Sequence, residues 1–327
     1  MQPLGDLDRR IAAALLRDGR APWRRVAEAI GEQERTVSRR GSRLLADGVV
    51  RIHALPGPWR LAGRAATLVR VRGGLRVVEA VAEHLADHPL STWVSVLANP
   101  VECVAELFHG PQDLRETLSG IERSAGDARA EVRATLLPAY HRTVSGWSPE
   151  ILSAGEYDAV GAREDAALAT TNGARAAVDE LTARLVDLLQ EEGRATVDEL
   201  ASSLGVSAST VSRRIDSAVR DGLVFIRAVV DPALLGYPCE AVIEVRARPG
   251  ALPRIAGAVA DAPEVRWAAD DGSSVLAQAA CADAGHLGDL LHRLGALDDV
   301  VEISASPVVA VTKRSTVRYR DGVPSPR

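Results

Sequence analysis

The sequence predicts an α+β protein: two winged-helix-like helix-turn-helix domains and two ferredoxin-like βαββαβ domains in one chain of 327 residues. Three observations carry this expectation. The string Thr-Val-Ser-Arg-Arg begins at Thr36 and again at Thr210, an offset of 174 positions (210 − 36). Residues 7–53 align with 181–227 at that offset without a gap, through Leu7/Leu181, Leu15/Leu189, Ala27/Ala201, Gly31/Gly205 and the repeated Gly-Arg-Ala at 19–21 and 193–195. Beyond each stretch the pattern changes to alternating strands and helices, and the offset persists at Pro89/Pro263 and Trp93/Trp267. A fixed self-similarity is the signature of duplication. The chain is therefore two copies of one unit, diverged most in their second parts.

Spacing justifies each element in turn. Leu181, Leu185, Leu188 and Leu189 recur at helical intervals, and Gly193 ends that helix. Thr196 and Glu199 have capping-box spacing, so the next helix starts there and runs to about Leu204. Gly205 suits a tight turn, and Ser207 caps a third helix reaching about Arg220. Asp221-Gly222 stops it, and "LVFIRAVV" reads as a strand. Helix, short glycine turn, helix is a helix-turn-helix, and copy one repeats it. The remainder of copy two reads strand 239–248, helix 250–261, strands 264–270 and 274–281, helix 284–295, strand 299–311. Copy one reads strand 65–72, helix 75–87, strands 91–98 and 101–108, helix 112–124, strand 130–137. The expected domains are 1–55, 62–145, 179–230 and 236–320. Residues 146–178 form a Gly-, Ala- and Ser-rich linker, weakly helical at best. About 30 such residues span up to roughly 100 Å when extended.

Composition bounds the function. Hydrophobic residues make up 46% and charged residues 25%, ordinary for a globular chain in water. No apolar run approaches a membrane span and the first residues lack an apolar signal core, so no membrane contact and a cytoplasmic location are expected. Cys103, Cys239 and Cys281 stand far apart and read as small buried hydrophobes, not as a zinc site or disulfide framework. A net charge of −5 does not suggest an indiscriminate polyanion binder, yet it can hide a local basic face. Lys313 is the only lysine, so arginine carries nearly all positive charge. Arginine suits phosphate and guanine; GC-rich codon usage would produce the same bias.

A helix-turn-helix with Asp18-Gly19-Arg20 after its first helix and Thr-Val-Ser-x-Arg on its second, followed by βαββαβ, resembles the leucine-responsive/asparagine-regulator (Lrp/AsnC) family. The resemblance covers both copies and is carried best by 181–250 and 7–55. It implies a double-stranded DNA operator as partner and an effector domain that dimerises and responds to a small molecule such as an amino acid. It also implies assembly as a pseudo-dimer within one chain or as a homo-oligomer.

A recognition helix presents its N-terminal turns to base edges. These are Arg35, Thr36, Ser38 and Arg39 in copy one, and Ser209, Thr210, Ser212 and Arg213 in copy two. Arg40 and Arg214, with Arg20 and Arg194, are expected on phosphates, which set register rather than sequence. Val37 and Val211 are expected in the core. Plain solvated helix surface is the bland alternative for the exposed positions. The heads differ in charge. From 20 to 43, seven arginines face three glutamates, a balance of +4; from 194 to 217, three arginines face three acidic residues, a balance of zero. Arg24 and Arg25 open a helix, the wrong end for positive charge unless a phosphate lies near. Gln33 stands where copy two has the capping Ser207.

Family effector pockets form around the turn between the middle strands and at domain interfaces. Those turns are Asn99-Pro100 and Asp270-Asp271-Gly272-Ser273-Ser274. The second can offer carboxylates to an amino group and N–H groups to a carboxylate; it also reads as a polar hairpin turn. His84 and His88, at i and i+4, make a possible metal pair without a third ligand, or a solvated helix face. No cofactor is expected: there is no Walker loop, G-x-S-x-G or dinucleotide fingerprint. One enzyme reading shares the architecture. Sirohaem decarboxylases carry a Tyr-Arg-Arg-like stretch and a histidine-bearing strand end, and of these His109 alone fits here. A protein-interaction adaptor with degenerate heads is a third class.

Overall fold

The structure, a computed structural model, describes residues 3–57, 64–110, 112–126, 129–144, 147–161, 178–320 and 323–324. Copy one contains α1 (Asp6–Arg17), α2 (Trp23–Ile30), α3 (Glu34–Ala46) and β1 (Arg51–Pro56). It continues with β2 (Ala65–Arg72), α4 (Leu75–Asp87), β3 (Ser91–Ala98), β4 (Val101–His109), α5 (Asp113–Ala125), β5 (Glu131–Leu136) and β6 (Ala139–Arg142). After α6 (Ala154–Val160), copy two contains α7 (Glu180–Glu191), α8 (Val197–Leu204), α9 (Ala208–Arg220) and β7 (Val224–Val229). It continues with β8 (Cys239–Ala247), α10 (Leu252–Asp261), β9 (Val265–Asp270), β10 (Ser274–Cys281), α11 (Ala284–Gly295) and β11 (Val300–Arg314), and closes with the short β12 (Val317–Arg320) and β13 (Val323–Pro324).

Most of the expected linker, 162–177, lies outside the described residues. Its described part corrects the expectation of weak helicity: α6 is a helix, started by a reciprocal capping box between Ser153 and Glu156. Two side chains three positions apart thus satisfy two orphan backbone groups.

The chain does not divide copy by copy. Residues 1–63 and 148–235 form one compact unit, and 64–147 and 236–327 form another. Like parts of the two copies share a unit.

The first unit holds both heads. Ile11, Leu15, Val26 and Val37 are buried in head one; Leu185, Leu189, Leu200, Val211 and Ile215 form the core of head two. Each helix-turn-helix turn is made by a left-handed glycine, Gly31 (φ 68°) and Gly205 (φ 68°), where a Cβ would be strained. The strand after each recognition helix pairs with its counterpart: β1 runs antiparallel to β7, with His53 opposite Arg227. Those positions differ by 174 (227 − 53), so equivalent residues face one another across a pseudo-two-fold axis. Ala54 of β1 completes the core of head two.

The second unit holds both βαββαβ domains. Its strand order is β5-β2-β4-β3-β11-β8-β10-β9-β6. The first half of β11 pairs with β8 of its own copy and the second half with β3 of the other; β6 pairs with β9. Each copy thus lends its last strand to the other. Alternation along the strands gives each sheet two buried faces. In copy one, Val69, Val94, Val96 and Ala105 pack under Val78, Leu85 and Ile121 of the helices; in copy two, Ile243, Val245 and Val275 pack under Ile255, Val259 and Leu290. The opposite faces meet each other. Trp93 and Trp267, equivalent by the repeat, touch edge to face with ring centroids 5.6 Å apart.

Candidate nucleic-acid interface

Each recognition helix buries one stripe and exposes another. Helix α3 buries Val37, Gly41 and Leu44, and α9 buries Val211, Ile215 and Ala218. Positions i, i+3, i+4 and i+7 share a helical face. The outward face is Arg35-Ser38-Arg39-Ser42 in head one and Ser209-Ser212-Arg213-Asp216 in head two; all are exposed except half-buried Ser38. Thr36 and Thr210 are half-buried in the first turn, Thr210 Oγ1 lying 2.8 Å from Ser207 Oγ. Among the described residues Arg35 and Arg39 have no ion-pair partner. Among the described residues, Arg213 reaches the Ser209 carbonyl, at 3.4 Å, and no acid. These are the side chains the structure leaves available for a partner.

Four arginines expected on phosphates make hydrogen bonds inside the first unit. Arg20 donates to the carbonyls of Gly193 (2.8 Å) and Ala195 (2.7 Å), and Arg194 donates back to those of Gly19 (2.7 Å) and Ala21 (2.9 Å). The exchange obeys the pseudo-dyad atom for atom. Arg194 also lies over the Trp23 indole, 4.1 Å from the ring centroid, and its burial draws its pKa below the usual arginine value against the pull of Asp18 and Glu192. The repeated Gly-Arg-Ala string is therefore a head-pairing device. Its glycines permit the approach: a Cβ on Gly193 would sit 2.7 Å from the Ile52 carbonyl oxygen. Arg40 grips Asp8 through Nε (2.7 Å) and Nη2 (2.8 Å), and Arg214 reaches Asp179 and the Thr182 hydroxyl (2.7 Å). Each pins a recognition helix to the first helix of its head. Sequence position put these groups on the right helix; only packing revealed acceptors within reach.

Arg24 is exposed and lies 3.8 Å from Glu28 one turn on. Arg25 pairs with the buried Asp18, whose other oxygen accepts from the Arg20 backbone N–H at 2.9 Å. A carboxylate thus offsets the positive charge at the start of α2, without a phosphate. Capping separates the heads further. Asp179, Thr196 and Ser207 cap the three helices of head two with side-chain oxygens, whereas Gly5, Pro22 and Gln33 make no side-chain cap in head one.

The expected effector residues are spent on their own turn. Asp271 accepts from the N–H groups of Ser273 (2.8 Å) and Ser274 (2.7 Å) and from the Ser273 hydroxyl (2.8 Å). Asp270 accepts from the Gly272 N–H at 2.9 Å and faces His141 Nε2 at 2.6 Å. Gly272, at φ 86°, supplies the left-handed residue of the turn. Asn99 is exposed and its carbonyl accepts from the Ser306 hydroxyl. These bonds are those of the polar-hairpin reading, and they hold Asp270, Asp271, Gly272 and Ser273 within the turn. His84 and His88 lie between α4 and α5 with ring centroids 6.2 Å apart; among the described residues no cluster of His, Cys, Asp or Glu could hold a metal.

Sequence reasoning missed the polar centre of the second unit. Buried Glu106 accepts from Tyr140 (2.6 Å), Trp267 Nε1 (3.0 Å) and Thr92. Burial and this carboxylate push the Tyr140 hydroxyl well above its ordinary pKa. Glu240 takes Arg266 (2.9 Å) and Arg314 (2.8 Å). Burial alone would raise its pKa; the two guanidiniums hold it below the carboxylate norm. Thr92 and Tyr140 are the repeat equivalents of Arg266 and Arg314 (266 − 174 and 314 − 174), so matching places hold neutral donors on one side and charged donors on the other. Nothing in either stretch read alone signals that.

Family models match both heads: an AsnC-type helix-turn-helix domain over 4–45 and a winged helix-turn-helix DNA-binding domain over 178–224. An HTH-type transcriptional regulator of Pyrococcus furiosus is 30% identical over 140 residues, covering 42% of this chain and 95% of the relative. One from Mycobacterium tuberculosis is 31% identical over 136 residues, covering 40% and 91%. A Pyrococcus horikoshii regulator is matched over 61% of its length. Among solved structures, a siroheme decarboxylase is similar with a TM-score of 0.59, covering 96% of this chain and 94% of its own, at 14% identity, a likeness of fold. No helix among the described residues is long and apolar enough to cross a membrane. Relatives covered almost end to end use less than half of this chain, which carries their unit twice: it belongs to the Lrp/AsnC family of helix-turn-helix transcriptional regulators.

Proposed function

We propose that a single chain is a complete two-headed reader of a double-stranded DNA operator, working in the cytoplasm without chemistry of its own, and that its second unit transmits a small-molecule signal to the heads. The observation that carries this reading is the reciprocal exchange between Arg20 and Arg194 about the β1–β7 dyad. It gives one polypeptide the head pairing that two subunits of a symmetric dimer would supply. Tethering supports it too, because the second head engages at high effective concentration once the first is bound. The test is the mass of the purified chain on its selected operator, by light scattering with footprinting. One chain protecting two half-sites is the expected result. One protected half-site per chain would overturn it.

The fold likeness to a siroheme decarboxylase favours one second reading, chemistry on a tetrapyrrole. His109 counts against it: its Nε2 lies 2.7 Å from Thr67 Oγ1 and its Nδ1 2.9 Å from the Gly110 carbonyl, so both nitrogens are engaged within the fold. Tight binding of an iron tetrapyrrole by the purified chain, read from its visible absorbance, would restore that reading.

A further inference from the structure

The recognition faces of the two heads are unlike, while the frame holding them is symmetric. The frame is the β1–β7 register and the arginine exchange; both relate residues by the repeat offset. Two heads about a dyad read an inverted repeat, as any two-fold reader must. The faces share Ser38/Ser212 and Arg39/Arg213 but differ at Arg35/Ser209 and Ser42/Asp216. All four differing residues are exposed.

The chemistry of those positions separates the half-sites. Arg35 stands in the first turn of α3, the end of a recognition helix that meets base edges. Its free guanidinium can bond the O6 and N7 of a guanine with two donors, which the Ser209 hydroxyl cannot do. Farther along the face, Asp216 puts a carboxylate where head one has Ser42, and a carboxylate disfavours approach of a phosphate. The outward face of head one therefore carries Arg35 and Arg39 with no acid, whereas that of head two carries one arginine, Arg213, and one acid, Asp216.

We infer that the operator is an imperfect inverted repeat whose halves share the bases read by Arg39 and Arg213, and that the half under head one carries a further guanine read by Arg35. This inference rests on the two-headed DNA-reading proposal above. Head one also holds the larger share of the salt-dependent affinity.

The experiment is selection of bound duplexes from a randomised library with the full-length chain, repeated with Arg35→Ser and Ser209→Arg. Both substitutions lie on exposed surface, and circular dichroism checks that each variant keeps its fold. The expected wild-type result is two half-sites in inverted orientation, with one guanine present in one half only. Arg35→Ser should lower preference at that guanine by about ten-fold, the discrimination of one bidentate arginine contact, and make the halves alike. Ser209→Arg should add a guanine preference to the other half. Two identical wild-type halves, or an unchanged preference in Arg35→Ser, would overturn the inference and leave DNA reading intact. No enrichment of any sequence would overturn both.

Discussion

Head one and head two descend from one sequence yet hold their shape by different means. Head two is stabilised locally. Asp179, Thr196 and Ser207 cap its three helices, and Glu199 completes a capping box. Head one has no such caps. It relies instead on Arg25 with Asp18 and on the helix α6, whose Glu156 pairs with Arg10 and whose Tyr157 accepts from Arg17 at 2.9 Å; the Arg40–Asp8 pair is common to both heads, as Arg214–Asp179 in head two. The interiors differ in the same spirit. Trp23 packs over Gly41 in head one, where head two has Val197 and Ile215. One large and one small residue replace two of middling size. The lesson is that a duplicated head can trade local for tertiary support, and the trade releases its helix starts for arginine.

The contrast can be broken, beginning with the largest effect. Arg20→Ala strands the carbonyls of Gly193 and Ala195 and should cost about 3 kcal/mol in urea unfolding. It should leave the salt dependence of DNA binding unchanged, because Arg20 is a pairing residue; a shallower salt slope would return it to the phosphates. Next, Gly41→Ile should cost about 2 kcal/mol, since even a Cβ there overlaps the Trp23 indole. Adding Trp23→Val rebuilds the pair found in head two and should recover most of that loss. Strictly additive costs would show that the two positions do not share a space.

Caps sharpen the comparison at about 1 kcal/mol each. Ser207→Ala should destabilise head two by that amount, and Gln33→Ser should stabilise head one by a similar or smaller one. Equal insensitivity of both heads in calorimetry would remove the distinction. The most gradual effect is acid. Backbone and side-chain donation from Ser153, with Arg10, holds the Glu156 carboxyl down at about 2; donation from Thr182, with Arg214, holds Asp179 at about 2. A carboxyl depressed in the folded state contributes stability above its ordinary pKa and loses it as pH falls toward the depressed value. Both contributions should therefore be present at pH 6 and fade toward about pH 2, from about 4.5 for Glu156 and about 3.8 for Asp179. Urea midpoints at pH 6 and pH 3 test this: Glu156→Gln and Asp179→Asn should each lose less than the parent chain on acidification, and identical losses would discard the assignment.

Much was legible in the primary structure because its signals were local. The 174-residue offset, the capping box at Thr196 and Glu199, and the glycine turns at Gly31 and Gly205 each act within a few residues, and they located both heads. The outward residues Arg35, Arg39 and Arg213 followed from helical periodicity. Arg20, Arg40, Arg194 and Arg214 bond within the unit for one reason: a guanidinium goes to the nearest strong acceptor, and here a distant segment supplies it. The turn at Asp270–Ser274 was ambiguous because a carboxylate can serve a ligand or its own backbone, and the sequence does not say which lies closer.

The sequence by itself determined that this chain is a doubled Lrp/AsnC-type regulator, since repeat, cap and periodicity are encoded residue by residue. The tertiary structure alone decided that like parts pair with like within one chain, that Gly-Arg-Ala joins the heads, and that β6 and the second half of β11 each pair with the other copy. Those outcomes depend on hydrogen bonds to backbone groups more than a hundred residues away. Backbone groups are the same in every residue, so their long-range partners leave no mark in the side-chain pattern.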